Sequence, residues 1–199
     1  MKKRNHKKFW IFDMDGTLTN ALHDFPAIKR ELGLPLDLDI LSGIDLLEDG
    51  ARRDKHKKLN EIEMEIARKA TPAPGVTKLL HILTENQIRM GILTRNNLQN
   101  TLATLEASGL LHFFNRDHII TRDSAAPKPD PEGLFILQST WRCPSEEMIM
   151  IGDYIYDLQV GKAANTETIY IDPSGEFIYR EQATYCVQQM DHILALDLH

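Results

Sequence analysis

Apolar and polar residues alternate along most of this chain with two different periods, which predicts strands and helices in turn. The run 9–12 is too short for an amphipathic helix and is rich in aromatic residues, so it predicts a buried strand. The other predicted strands are 89–94, 118–121, 148–151 and 168–171, and the predicted helices between and after them are 76–85, 97–108, 131–140 and 155–164. This order predicts an α/β fold with a parallel sheet and helices on both faces.

Residues 20–71 interrupt that alternation and contain no strong strand pattern. The segment 24–32 is predicted to be a short helix. The charged segment 45–70 has apolar residues at helical spacing, which predicts a helix with one narrow apolar stripe, interrupted near Gly50. The Pro-Ala-Pro-Gly sequence at 72–75 then breaks the chain. We therefore predict a core formed by residues 1–19 and 72–199, and a small helical domain formed by residues 20–71.

Two carboxylates follow the first predicted strand directly, at Asp13 and Asp15, with Gly16 behind them. Residues i and i+2 of an extended chain point the same way, so both acids can face one ligand. Gly16 allows the backbone to turn away. A buried carboxylate without a partner is costly or becomes protonated, so this pattern predicts a cationic ligand.

Polar residues also follow the other predicted strands. The second strand ends at Thr94 and is followed by Arg95 and Asn96. Lys128 lies between two prolines after the third strand, and a Gly-Asp-x-x-x-Asp sequence at 152–157 comes after the fourth. Ligands of parallel α/β sheets bind at the carboxyl ends of the strands. We expect these residues to form one site.

The ordered set resembles the four motifs of the haloacid dehalogenase superfamily of phosphohydrolases. Residues 13–18 match its Asp-x-Asp-Gly-Thr-Leu motif, and Thr94, Lys128 and residues 152–157 match the later three. The resemblance covers the core from Asp13 to Asp157. It implies a three-layer Rossmann-like core with a small helical cap, similar to the phosphoglycolate phosphatase-like branch.

The resemblance also implies roles for the acids. Asp13 is the expected nucleophile, forming an aspartyl-phosphate, and Asp15 is the expected general acid and base. The expected cofactor is Mg²⁺, with ligands drawn from Asp13, the main-chain carbonyl of Met14, Asp15, Asp153 and Asp157. Asp157 has two alternatives, either metal binding through water or holding Lys128.

Phosphate binding is expected from Thr94 through its hydroxyl group, from the main-chain amides of Arg95 and Asn96, and from Lys128 through its charge. The Arg95 side chain has two alternatives, reaching the substrate or pointing to solvent. The basic cluster at 52–58 also has two, a solvated helical face or a site for a second anionic group of the substrate.

Three functions compete at this stage. The first is a magnesium-dependent phosphatase acting on a small phosphate monoester, and the second is a sugar phosphomutase of the same superfamily. The third is a non-catalytic binding module that retains the fold. The second acid at Asp15 disfavours the metal-free dehalogenase branch, and no Walker-type nucleotide loop is present.

Composition narrows the partners. The chain has 199 residues and a formal net charge of −6, which does not favour nucleic acid. No apolar run reaches the roughly 20 residues of a membrane span, so no membrane partner is expected. The expected partner is a small phosphorylated metabolite, because a cap over the site would restrict access. The basic N-terminus, residues 1–8, is interpreted as a solvated lead-in to the first strand. Two distant cysteines predict free thiols and a cytoplasmic location, while the oligomeric state stays open.

Overall fold

The core of the protein is a six-stranded, fully parallel sheet, seen in a computed structural model that describes residues 7–196 and 198. The strand order is β3-β2-β1-β4-β5-β6, so the predicted α/β fold with a parallel sheet is confirmed. The strands are β1 Phe9–Phe12, β2 Arg89–Leu93, β3 Ile119–Ile120, β4 Met148–Gly152, β5 Glu167–Ile171 and β6 Tyr185–Val187.

Both faces of the sheet are covered by helices, because alternate residues of β1 feed two separate apolar layers. Trp10 and Phe12 belong to one buried cluster, and Phe9 and Ile11 belong to another. The helices are α1 Phe25–Leu32, α2 Ile40–Asp45, α3 Asp49–Ala67, α4 Val76–Glu85, α5 Leu98–Ala107, α6 Glu132–Trp141 and α7 Ile155–Ala163.

The segment between β1 and α4 contains α1, α2 and α3. Asp24 caps α1, since its carboxylate accepts the Ala27 N–H at 2.9 Å, and Gly33 ends the helix in the left-handed region. These helices share a small apolar cluster of their own: Ile28, Leu32, Leu34, Ile44 and Leu59. The division of the chain into core and cap domains stays a prediction.

Two local predictions differ from the structure. The break in 45–70 lies at residues 46–48, and Gly50 is in the first turn of α3, which begins at Asp49. The predicted closing helix over 187–196 is instead the end of β6 followed by a 3₁₀ helix, Met190–Ala195. Both errors involve short elements whose periodicity is weak.

The N-terminal prediction is wrong at Lys7 and is confirmed at Lys8, whose side chain is exposed. Lys7 is buried, donates to the Glu146 carbonyl at 2.6 Å and lies 3.1 Å from the Glu167 carboxylate. It therefore anchors the start of β1 rather than extending into solvent, while residues 1–6 lie outside the described part. In the described part of the chain, no helix has the length and apolar character needed to cross a membrane.

Candidate active site

The carboxyl ends of β1 and β4 carry the two acids at the centre of the site. These strands pair in parallel with Phe12 opposite Ile151, and the Asp13 N–H donates to the Ile151 carbonyl at 2.8 Å. Asp13 and Asp153 therefore leave adjacent strands at nearly the same height. Successive strands extend in opposite directions from this pair, and such a switch point is where parallel α/β sheets bind ligands.

Three carboxylates converge here. Oxygen atoms of Asp13, Asp153 and Asp157 all lie within 4.8 Å of one another. Burial and the negative charges of Asp13 and Asp157 raise the pKa of Asp153 to about 8. Burial raises the pKa of Asp157 to about 6, although Lys128 opposes the shift. The cluster thus concentrates negative charge that its surroundings do not fully balance.

Lys128 bridges two of these acids. Its Nζ lies 2.5 Å from Asp13 Oδ1 and 2.6 Å from Asp157 Oδ1. Burial opposes its charge, but the two carboxylates outweigh this effect and raise the pKa of Lys128 above its usual range. The other oxygen of Asp157 accepts the Tyr154 N–H at 3.0 Å. Asp157 therefore holds Lys128, which is one of its two expected roles.

Glycines allow these groups to approach closely. A Cβ atom at Gly152 would lie 2.2 Å from the Asp157 carboxyl carbon, and one at Gly16 would lie 2.3 Å from an Asp153 oxygen. Gly16 also has a φ of 86°, which disfavours other residues. Thr17 Oγ1 then donates to Asp153 Oδ1 at 3.2 Å, so the turn after β1 orients Asp153.

The donor set fits a hard divalent cation. Its potential ligands are carboxylate oxygens, which Mg²⁺ prefers. Burial and the neighbouring negative charges raise the pKa of Asp153, and a bound cation would offset those charges. Asp13 and Asp153 are the residues best placed to hold such an ion.

The turn after β1 argues against Met14 as a ligand. Its carbonyl oxygen accepts main-chain N–H groups from Leu18 at 2.9 Å, Thr19 at 3.0 Å and Thr17 at 3.3 Å. A carbonyl oxygen with these partners is directed into the turn. We correct the expected ligand set accordingly. The Asp15–Gly16 peptide is a main-chain candidate in its place, since Gly16 packs against the Asp153 carboxylate.

Asp15 lies beside the cluster with partners of its own. Asn96 Nδ2 donates to Asp15 Oδ2 at 2.7 Å, and His23 Nδ1 lies 3.7 Å from Asp15 Oδ1. Burial raises the pKa of Asp15 to about 6, with His23 acting against the shift and Asp13 adding to it. Its carboxylate is not part of the three-acid group. An acid with such a pKa exchanges protons readily near neutral pH.

The residues expected to bind phosphate divide into two groups. Thr94 is buried directly after β2 and lines the cleft with Lys128. The Asn96 N–H, however, donates to Thr94 Oγ1 at 3.2 Å, and the Asn96 side chain holds Asp15. The Arg95 side chain lines the cleft and does not point freely to solvent, because it forms an ion pair with Asp39 and donates to the Lys128 carbonyl at 2.7 Å.

Several cleft residues were not predicted from the sequence. The cleft has a volume of about 490 Å³, and residues from the helical segment form part of its wall. His23, Asp39 and Glu63 are the polar ones that contact the core, at Asp15, Arg95 and Arg122 respectively. No motif marks them, since their position depends on how α1, α2 and α3 pack. In contrast, no residue of the basic cluster 52–58 lines the described cleft.

Comparison with known proteins agrees with this geometry. Residues 10–171 match the haloacid dehalogenase-like hydrolase family. The uncharacterized hydrolase YOR131C of Saccharomyces cerevisiae is 30% identical over 201 residues, covering 96% of this chain and 91% of that protein. Pyrophosphatase PpaX of Bacillus velezensis is 32% identical over 182 residues, covering 79% of this chain and 80% of that one.

Solved structures share the fold. A hydrolase from Pseudomonas syringae superposes with a TM-score of 0.79 at 22% identity, covering 95% of this chain and 99% of that one. A predicted phosphoglycolate phosphatase from Haemophilus somnus gives 0.76 at 17% identity, covering 94% and 96%. The predicted Rossmann-like core and phosphatase class of enzyme are thereby confirmed. The match over residues 10–171, together with the acids on β1 and β4, shows that this chain belongs to the haloacid dehalogenase-like hydrolase family.

Proposed function

We propose that the chain is a magnesium-dependent phosphatase that hydrolyses a small phosphate monoester through an aspartyl-phosphate on Asp13. The observation that carries this proposal is the convergence of Asp13, Asp153 and Lys128 at one switch point, with Asp15 alongside. A site that only bound phosphate would gain nothing from Asp15, a second, half-buried acid beside Asp13. The pyrophosphatase named among the relatives also acts at phosphorus, which agrees with phosphoryl chemistry.

The first half-reaction transfers the phosphoryl group to the protein. A carboxylate oxygen of Asp13 attacks phosphorus, the bond to the ester oxygen breaks, and protonated Asp15 gives its proton to the leaving oxygen. The raised pKa of Asp15, about 6, supports this role because a useful fraction is protonated near neutral pH. Asn96 fixes the orientation of that carboxyl group.

The second half-reaction regenerates Asp13. Asp15 accepts a proton from water, the water oxygen attacks phosphorus, and the bond to Asp13 breaks to release inorganic phosphate. Lys128 neutralises charge on the phosphoryl oxygens, and the Thr94 hydroxyl donates to one of them. Asp157 holds Lys128 in place through the 2.6 Å contact.

Magnesium, when bound, would offset the repulsion between the Asp13 carboxylate and the phosphate dianion. Asp13 and Asp153 would hold it with their carboxylates, and Asp15 with its main-chain carbonyl. We also propose that residues 20–71 act as a cap over the cleft, admitting small metabolites. A cytoplasmic location agrees with Cys143 and Cys186 being free thiols.

The test is a panel of small phosphate esters assayed with magnesium and with excess chelator. We expect some esters to be hydrolysed only when magnesium is present. Asp13→Asn should lower the rate of this hydrolysis by roughly 10⁴-fold or more. Acid-quenched wild type should carry label from a radiolabelled ester, and Asp13→Asn should not.

Asp117→Asn is the control, because Asp117 is exposed and lies outside the cleft. It should match the wild type. Turnover by Asp13→Asn, or wild-type activity that survives chelation, would refute the proposal.

A further inference from the structure

We propose that Asp39 pairs with Arg95 and so keeps Arg95 from binding the substrate. The cleft then favours phosphate esters whose leaving group carries no negative charge of its own. This inference rests on the proposed phosphatase function and narrows its substrate class. An uncharged alcohol or phenol is the expected leaving group, and carboxylate-bearing or phosphate-bearing leaving groups are disfavoured.

Arg95 is the cation of the cleft that could otherwise receive a second anion. Its guanidinium pairs with the Asp39 carboxylate, donates to the Lys128 carbonyl at 2.7 Å and stacks over the Tyr156 ring at 4.8 Å from the ring centroid. All three partners hold it at once. A substrate carboxylate would have to displace Asp39 to reach it.

Asp39 is itself fixed as an anion. It is the N-cap of α2, and its Oδ2 accepts the Ser42 hydroxyl at 2.6 Å while its Oδ1 accepts the Ser42 N–H at 3.2 Å. Burial opposes ionisation, but these bonds and the Arg95 charge keep the pKa of Asp39 below its ordinary value. The helix start therefore presents a permanent carboxylate where a substrate carboxylate would otherwise bind.

The remaining cations of the described cleft are also engaged. Lys128 pairs with Asp13 and Asp157, and Arg122 pairs with Glu63 at 2.8 Å. Lys29 donates to the Leu36 carbonyl at 3.0 Å. Seven carboxyl groups line the cleft against four lysine and arginine side chains. A single divalent cation and one phosphate dianion leave this balance negative, so a further anion would meet repulsion.

Much of the remaining wall is apolar or aromatic. It includes Phe25, Ile28, Leu36, Leu41, Tyr154 and Tyr156. Phe25, Leu36 and Tyr154 are about half exposed, at 53%, 58% and 48%, and so offer contact area to a ligand. Such surfaces favour an uncharged group with apolar area over a hydrated anion.

The test compares two phosphonates that are not hydrolysed and differ by one charge, 4-carboxybenzyl and 4-carbamoylbenzyl phosphonate. Calorimetry in magnesium should show that the wild type binds the carbamoyl compound at least about tenfold more tightly. Asp39→Asn should reduce this preference to below about threefold, because Arg95 becomes available. Asparagine still caps α2, and Asp39→Ser provides a second variant that also retains the cap.

Asp37→Asn is the matched control. Asp37 lies two residues away, lines the same cleft and does not pair with Arg95, so the wild-type preference should persist. Equal binding of both compounds by the wild type would overturn the inference, as would an Asp37→Asn variant that loses the preference as fully as Asp39→Asn. Turnover of the corresponding ester, 4-carbamoylphenyl phosphate, is measured separately. Its absence would count against the phosphatase function, whereas the binding ratio tests the selectivity alone.

Discussion

The carboxyl edge of the sheet and the helical segment 20–71 both contribute side chains to the cleft, but they are held in different ways. Asp13 and Asp153 are positioned by strand pairing, where a backbone hydrogen bond of 2.8 Å fixes the height of one strand against the other. Asp39 and Glu63 are positioned by helices that share only a small apolar cluster. The difference suggests that the sheet carries the chemistry and the helices carry the selectivity.

Polar contacts join the helical segment to the core. Glu63 on α3 accepts two bonds from Arg122, at 3.1 and 2.8 Å, and one from Asn100 at 2.9 Å. Asn60, one turn before it, accepts from Asn97 at 2.8 Å and from Arg122 at 2.7 Å. The joint is thus a partly buried network whose members depend on one another.

The largest expected effect concerns the sheet edge. Asp15→Asn should slow turnover by roughly 10²–10⁴-fold, because the amide neither donates the proton to the leaving oxygen nor accepts one from water. Magnesium affinity, measured by calorimetry, should be retained. A variant that loses magnesium affinity and keeps its rate at saturating metal would contradict the acid-base role.

The joint between the two regions should be the next most sensitive feature. Glu63→Ala should lower the free energy of unfolding by about 3–5 kcal/mol, because Arg122 is left largely buried without its partner. Urea denaturation measures this change. The control is Glu61→Ala on the exposed face of α3, expected to stay within about 0.5 kcal/mol of the wild type. Similar values for the two variants would show that the polar joint is not what holds the segment.

Stability of the metal-free protein should depend on pH through the acidic cluster. Asp153 and Asp157 have folded-state pKa values of about 8 and about 6, above their ordinary value of 3.8, so the folded protein binds protons more tightly than the unfolded chain. Their contribution is complete below about pH 4 and is lost as the pH rises to about 8.

Magnesium should reverse this loss. It competes with protons for the same oxygens, so its stabilisation should be larger at pH 8 than at pH 5, reaching about 2.7 kcal/mol at one hundred times its Kd. Thermal unfolding with and without the ion measures the effect. Asp153→Asn should weaken both the pH slope and the response to magnesium. An equal or larger magnesium effect at pH 5 would contradict the prediction.

The smallest effect concerns local stability in the helical segment. Asp24→Ala should cost about 1 kcal/mol, because the Ala27 N–H loses its cap at the start of α1. Asp24→Asn keeps an acceptor and should differ from the wild type by much less. Urea denaturation distinguishes the two, and equal losses would point to the charge rather than the cap.

The sequence supports the sheet far better than the helical segment, for physical reasons. Aromatic and β-branched runs such as Phe9–Phe12 have one stable arrangement between two apolar layers, and their carboxyl ends must meet. That logic predicts the grouping of Asp13, Lys128 and Asp153. It does not predict α2, whose six residues include a serine and a glycine, or β6, which has three residues.

Side-chain partners inside the site were harder to predict than the site itself. The family resemblance implies the Met14 carbonyl as a metal ligand, but the positive φ of Gly16 closes a turn that directs this carbonyl to the Thr17–Thr19 amides. Arg95 follows a strand at the expected position, yet its partner comes from α2, more than fifty residues earlier in the chain. Such pairings depend on tertiary packing, which periodicity does not encode.

The pairing of β1 with β4 has a consequence for biosynthesis. Thr17 and Asp153 are in contact although 136 residues separate them, and Lys128 contacts Asp13 across 115 residues. A nascent polypeptide that ends after α6 lacks both β4 and Asp153, the acid that follows β4. The catalytic centre is therefore assembled late in translation, and truncated products of the ribosome are expected to be inert toward phosphate esters.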